Sequence, residues 1–196
     1  MRYPAQRKVE TKARILSVAS RMFREGGAES NGIGSIMKKI GLTKGGFYRH
    51  FESRDQLYVE AVDLAFSEMG DRMLEAAKRA RKGHELEAMI RLYLSKDHLN
   101  SPAAGCVIST LGSDIARQPV AIRRQINRSM RAYRDRLLPY MSGKTLEEKA
   151  ATYSLLYPSM VGVLIAARTL GDPAAQETML ANARDSFIER YVRGTR

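Results

Sequence analysis

The chain has 196 residues, with 33 Lys and Arg against 21 Asp and Glu, a formal charge of +12. That length can bury a sizeable core in one or two domains, and 44% hydrophobic with 28% charged residues is a globular balance. One cysteine excludes a disulfide framework and a cysteine-based zinc or iron–sulfur site. The three histidines fall at no metal-ligand spacing, so neither a metal nor a cofactor is expected. The basic balance points to a polyanionic partner, nucleic acid or an anionic membrane surface.

The charge excess sits in two blocks. Residues 1–58 hold twelve Lys and Arg against five Asp and Glu, a net of +7. Residues 119–141 hold Arg123, Arg124, Arg128, Arg131, Arg134 and Arg136 against Asp135 alone, a net of +5. The rest of the chain balances. The N-terminus runs from Met1-Arg2-Tyr3 into charge rather than an apolar segment, so no secretory signal is expected.

Helical periodicity dominates in chain order, and no convincing strand pattern occurs. Ile15, Leu16, Ala19, Met22 and Phe23 share one helix face, and Gly26-Gly27 ends it. A short piece from about Ile33 to Ile40 follows, with Asn31 and Gly32 as its caps. Gly41-Leu42-Thr43 interrupts, and Lys44–Phe51 resumes. Ser53-Arg54-Asp55-Gln56 is a capping-box pattern that opens a long helix through Leu57, Leu64 and Met73. Gly83 breaks it, and His84–Asp97 continues. Asn100-Ser101-Pro102 starts another helix, with Cys106 early in it. Pro119 opens the arginine-rich helix. Thr145-Leu146-Glu147-Glu148 is a second capping box, followed by the apolar run Leu155–Ala167. That run is too short, and too interrupted by Pro158 and Gly162, for a membrane span. Asp172-Pro173 opens the last helix. The expectation is an all-α chain of about nine helices.

Ile33–Phe51 carries the most chemistry. Two short helices joined at Gly41 make a helix-turn-helix, because glycine accepts the left-handed backbone of a sharp turn. Thr43 is expected to cap the second helix, whose amide end faces outward beside Lys44. Gly45 and Gly46 let backbone approach a groove closely. Tyr48, Arg49 and His50 supply donors for phosphate or base edges.

The order of residues from Gly41 through Lys44-Gly45-Gly46-Phe47-Tyr48-Arg49-His50-Phe51 to Leu57 resembles the hallmark segment of TetR/AcrR-family transcriptional regulators. With the first helix, the resemblance spans about residues 10–60. It implies an N-terminal three-helix DNA-binding domain at residues 1–52 and a larger ligand-binding and dimerisation domain at 53–196. Carried over by position, Thr43, Lys44, Gly45, Gly46, Tyr48 and His50 would face DNA, with Arg49 beside them. Arg54, where the family usually has lysine, would touch phosphate. Phe47 and Phe51 would pack the small domain. Gly46 replaces the usual Thr or Ser, and Ala28 stands where an aromatic is common.

The resemblance implies a repressor released from a double-stranded operator by a small-molecule effector, in a prokaryotic cytoplasm and without a membrane. Met69, Met73, Tyr93, Cys106, Met130, Tyr133 and Tyr157 are the candidate effector contacts, since methionine suits an adaptable pocket. Plain core is the competing reading for most of them. Cys106, beside Gly105, is also a candidate thiolate sensor of oxidants or electrophiles, or simply a small buried residue. The arginine-rich helix is a solvated face or a surface for an anionic partner. A homodimer is expected through the last two helices, about 146–170 and 173–192, as a four-helix bundle. No enzyme is expected, since adjacent Asp97 and His98 point apart on a helix and no phosphate loop or nucleophile elbow accompanies Cys106. The alternative function is a nucleic-acid-binding structural protein without a sensor.

Overall fold

Turns made by glycine set the small N-terminal domain. The computed structural model describes residues 4–194. Helix α1 (Pro4–Gly26) stops because Gly27 adopts φ +81°, and its N–H returns to the Phe23 carbonyl at 2.8 Å. Helix α2 (Ile33–Lys39) stops at Gly41, φ +74°. A 3₁₀ helix (Lys44–Arg49) follows. Ile15, Ala19, Phe23, Ile36, Met37, Phe47 and Phe51 are buried together, with Phe47 and Phe51 stacked at 5.3 Å. Lys12 lies over the Phe51 ring and pairs with Glu60 at 2.8 Å.

Two expected caps differ here. Asn31 does not cap α2; its Nδ2 donates back to the Met22 and Gly27 carbonyls, sealing the end of α1. Gly32 holds the N-cap position of α2 without a side-chain bond, and Thr43 makes none for the 3₁₀ helix. Ala28 is buried, its N–H donating to Asp114 and its carbonyl accepting from Arg54. A larger ring has no place at so tightly held a corner.

Helix α3 (Arg54–Arg79) joins both halves. Ser53 caps it by accepting the Gln56 N–H at 3.0 Å, while the Gln56 side chain takes the Glu52 N–H. Leu57 and Tyr58 pack toward α1, and Phe66, Met69 and Met73 lie deeper in the chain. The remainder is α4 (Glu85–Tyr93), α5 (Lys96–Asn100), α6 (Val107–Arg117), α7 (Val120–Leu137), α8 (Leu146–Thr169) and α9 (Pro173–Ile188). The described residues thus form nine α-helices and no strand.

The continuous helix expected over His84–Asp97 is two. The chain turns at Leu94, and Ser95 caps α5 through the His98 N–H at 3.1 Å. Pro102 opens only a 3₁₀ turn, Pro102–Ala104, so α6 begins five residues later, with Cys106 at its N-cap. Helix α7 runs alongside α3: Phe66 meets Tyr133, and Arg136 reaches Asp71 and the Ser67 carbonyl. Gly70 makes that possible, since a Cβ there would lie 2.7 Å from Arg136 Nη1.

Helix α8 carries the full Thr145–Glu148 capping box and runs 24 residues through Pro158. By length and composition it is long and apolar enough to cross a membrane, which the Leu155–Ala167 run alone did not suggest. One of its faces is buried, through Leu156, Tyr157, Met160, Leu164 and Ala167. Arg168 in its last turn donates to the Leu99 and His98 carbonyls and to Ser109.

Candidate functional site

The 3₁₀ helix presents the expected interface outward. Thr43, Lys44, Gly45, Tyr48 and Arg49 are exposed, and Gly46, His50 and Arg54 are partly so. Phe47 is buried and turns this face outward. Tyr48 is 62% exposed, which core packing does not explain. A Cβ at Gly45 would meet nothing within 4 Å, and one at Gly46 would make only ordinary contacts. The interior therefore requires neither glycine; what they provide is outward access to backbone.

The field over this face is positive. Lys38, Lys39, Lys44 and Arg49 are exposed, and none of them has an ion pair among the described residues. Burial first, and then Lys8, Arg49 and Lys12, lower the His50 pKa and favour the neutral ring, and its Nδ1 has no partner. Arg54 differs from a free phosphate arm. It is half-buried, and one Nη holds the Ala28 carbonyl at the α1–α2 turn.

A second set of contacts ties this domain to the body. Arg24, on α1, is buried with its side chain 1% exposed. It donates to Glu68 on α3 at 2.7 Å, to the Gly105 carbonyl at 3.1 Å and to Ser20. Arg72 donates to the Ala104 carbonyl at 2.8 Å. Segment 102–106 is therefore gripped from α1 and α3 together. Arg24 carries no sequence signal of this role, because its place in a basic amphipathic helix looks like solvent-facing charge.

The same segment enters a buried polar cluster. His98 is fully buried, and its Nδ1–H donates to the Tyr93 carbonyl at 2.6 Å. Its Nε2 accepts the Cys106 N–H at 2.9 Å. A carbonyl on one side and an N–H on the other fix the neutral Nδ1–H tautomer. Protonation would set Nε2–H against the Cys106 N–H. Burial, aided by Arg168 and Arg72, pulls the His98 pKa down to about 4. Because the folded value lies below the unfolded value near 6.5, the unfolded chain binds the extra proton between those two pH values. Stability from His98 is complete above about pH 6.5 and falls as pH drops toward 4. Chemical denaturation should show the chain about 2 kcal/mol less stable at pH 5 than at pH 7.5 from this group, and His98→Asn should remove that increment.

Cys106 Sγ lies 3.2 Å from the Tyr157 hydroxyl, not against the His98 ring, so the His–Cys pairing of a nucleophile is not formed. The thiol is 1% exposed and covered, so a reagent reaches it only when the cluster opens. Tyr93 and Tyr133 are also buried there, and the Tyr133 hydroxyl has no partner among the described residues. Such an orphan costs about 1–3 kcal/mol relative to a satisfied hydroxyl. Burial raises the pKa of Tyr93, Tyr133 and Tyr157 well above normal, so all three stay protonated donors.

Of the seven candidate effector contacts, two line open space. Met130 and Tyr157 face a cleft of about 590 Å³ between α7 and α8. Met69, Met73, Tyr93, Cys106 and Tyr133 are buried outside that cleft, Met73 beside a small enclosed cavity that it shares with Met89, Met160 and Tyr157. The cleft's other walls include Asn127, Arg131, Arg134, Tyr153 and Ser154.

The geometry defines a helix-turn-helix module on a helical body that carries its own cleft. Residues 15–61 match the family model described as bacterial regulatory proteins, tetR family. Over 66 residues the chain is 39% identical to the HTH-type transcriptional regulator AcrR of Shigella flexneri, a match spanning 34% of this chain and 31% of that one. Thus less than a third of that relative's length is matched. A TetR-family regulator from Agrobacterium tumefaciens superposes with TM-score 0.75 at 18% identity, covering 94% of this chain and 99% of its own. One from Streptomyces coelicolor gives 0.71 at 22%, covering 92% and 89%. Residues 15–61 thus resemble the tetR family by sequence, and the chain shares its fold with solved TetR-family regulators.

Proposed function

We propose that the chain is a dimeric transcriptional repressor that binds an operator through Lys44–Arg49 and releases it when a small molecule occupies the helical body. The observation that carries the reading is the exposed, unpaired cationic face around Tyr48, built on a buried Phe47–Phe51 stack. Thr43, Lys44, Gly45, Gly46, Tyr48, Arg49 and His50 make the DNA-facing set. Arg54 contributes to it with the donors that its Ala28 bond leaves free. Phosphate contacts hold the domain in register while base-edge contacts specify sequence.

The dimer forms through α8 and α9. Leu155, Pro158, Gly162, Ile165 and Ala166 leave an exposed apolar strip along α8, opposite its buried face. A Cβ at Gly162 would meet nothing within the chain. That emptiness suits close approach by a second helix pair, giving a four-helix bundle. Sedimentation at micromolar concentration should show a dimer, and Gly162→Glu with Ile165→Glu a folded monomer. A monomeric parent chain would contradict the assignment.

Release requires two states with different affinity for the effector. The coupling runs from Tyr157 through Cys106 and Gly105 to Arg24, so the element that moves is segment 102–106. DNA binding is tested with a labelled fragment from upstream of the chain's own gene, across a salt series with random DNA as competitor. Retention against competitor with a steep salt slope is the expected result. Binding abolished by competitor would favour a general nucleic-acid binder.

A further inference from the structure

The geometry points to an amphipathic organic anion, an aromatic acid above all, as the occupant of the α7–α8 cleft. That this acid is also the effector rests on the proposed function. The cleft floor is apolar, formed by Ile108, Met130, Val161 and Tyr157. Tyr153 stacks on Tyr157 at 5.2 Å with an interplanar angle of 11°, leaving a flat aromatic wall. A planar ring packs well against such a surface.

The polar side of the cleft has one sign. Arg131 and Arg134 stand one turn apart on α7, and no acidic side chain lines the space. Arg131 is exposed and has no ion pair. Arg134 gives Nε and Nη2 to one oxygen of Asp135, leaving Nη1 free. A bound cation would face two guanidinium groups and no carboxylate in the cleft wall. A neutral apolar molecule would leave them unused. A carboxylate or sulfonate meets the fork geometry of arginine directly.

An independent feature points the same way. Behind Tyr157 lies the buried hydroxyl of Tyr133, unpartnered among the described residues, its ring centroid 5.6 Å from that of Tyr157. Tyr157 lines the cleft, neighbours this orphan donor and bonds Cys106. A ligand that shifts the Tyr157 ring brings its own acceptor oxygen toward a donor that the protein itself leaves unsatisfied. The same shift loosens the Cys106 contact, next to the Gly105 carbonyl held by Arg24.

The test uses 8-anilinonaphthalene-1-sulfonate, an aromatic anion whose fluorescence rises on binding, and N-phenyl-1-naphthylamine, the same skeleton without sulfonate. The full chain should bind the sulfonate at one saturable site per protomer and prefer it to the neutral analogue. Arg131→Gln with Arg134→Gln should weaken the sulfonate at least about tenfold and erase the preference, a change of about 1.4 kcal/mol. Equal binding of both dyes by the parent chain, or unchanged affinity in the double variant, overturns the acid site. Loss of the signal in Leu155→Ser, which keeps both arginines, places the dye on the exposed strip of α8 and overturns it as well. The DNA complex separates the two readings. A chain that binds sulfonate through the arginines yet retains no DNA fragment contradicts the regulator and leaves the acid site standing. A complex that survives saturating sulfonate overturns the effector role alone.

Discussion

Replacing Lys44 and Tyr48 together by alanine should lower operator affinity by roughly a thousandfold while leaving the fold intact. Each lost phosphate or base contact costs about 1 kcal/mol at an exposed protein–DNA interface, and a dimer loses two contacts per subunit, about 4 kcal/mol in all. Both side chains are exposed, so neither substitution opens the core. The ring of Tyr48 does touch Phe47 edge-on at 5.2 Å, which makes Tyr48→Phe the cleaner test of the hydroxyl alone. The salt series gives a second readout. Removing Lys44 from both subunits should reduce the slope of log affinity against log salt by about 2, whereas Tyr48→Phe should leave it unchanged. Gel-shift or anisotropy titrations report both numbers. A double variant that binds as tightly as the parent would move the interface elsewhere on the chain.

Arg24→Ala should destabilise the chain by about 2–4 kcal/mol and disconnect the two halves. The substitution strands the Gly105 carbonyl, unpairs Glu68 and leaves a void the length of an arginine stem between α1 and α3. Much of the loss comes from packing and from unpaired carbonyls, because Glu68 is itself 41% exposed and can turn to water. Arg24→Met separates the two effects. It restores most of the stem volume and should recover part of the stability, but not the grip on segment 102–106. Arg24→Met should therefore bind operator and yet release it poorly when the cleft is filled. Denaturant midpoints measure the first effect, and effector titrations of the DNA complex measure the second. Full response in Arg24→Met would remove Arg24 from the coupling.

The N-terminal domain was largely legible because its determinants are local. Gly27 and Gly41 mark the turns by conformational need, and Phe47 and Phe51 fall at helical spacing within one short segment. The helix starts at Ser53, Thr145 and Asp172 were legible for the same reason, since an N-cap bonds amides two or three residues away. Asn31 shows where local reading stops. Its position before α2 suited a cap, but the end of α1 offered two free carbonyls to the same amide. The division of His84–Asp97 into α4 and α5 carries no glycine or proline. It follows from Ser95 capping and from His98 being drawn between the Tyr93 carbonyl and the Cys106 amide, a contact that no periodicity encodes.

The body's site was less legible, because the cleft exists only where α7 and α8 diverge. Met69 and Met73 have the same composition signal as Met130, yet they are buried outside the cleft. Arg131 and Arg134 read as part of a solvated charge run. Arg123, Arg124 and Arg128, on the other half of α7, stand exposed without ion pairs among the described residues. Only the position of α8 across from Arg131 and Arg134 distinguishes them from their neighbours.

Selection of bound duplexes from a randomised DNA pool tests the central claim most directly, since it presumes nothing about where the operator lies. A dimer with two Lys44–Arg49 segments should enrich a pseudo-palindrome whose half-sites lie about one helical turn, 34–36 Å, apart. Enrichment should vanish with Lys44→Ala and Tyr48→Ala. A pool that gains no sequence preference over successive rounds, while the chain still retains DNA at low salt, would contradict the account and leave a non-specific nucleic-acid binder.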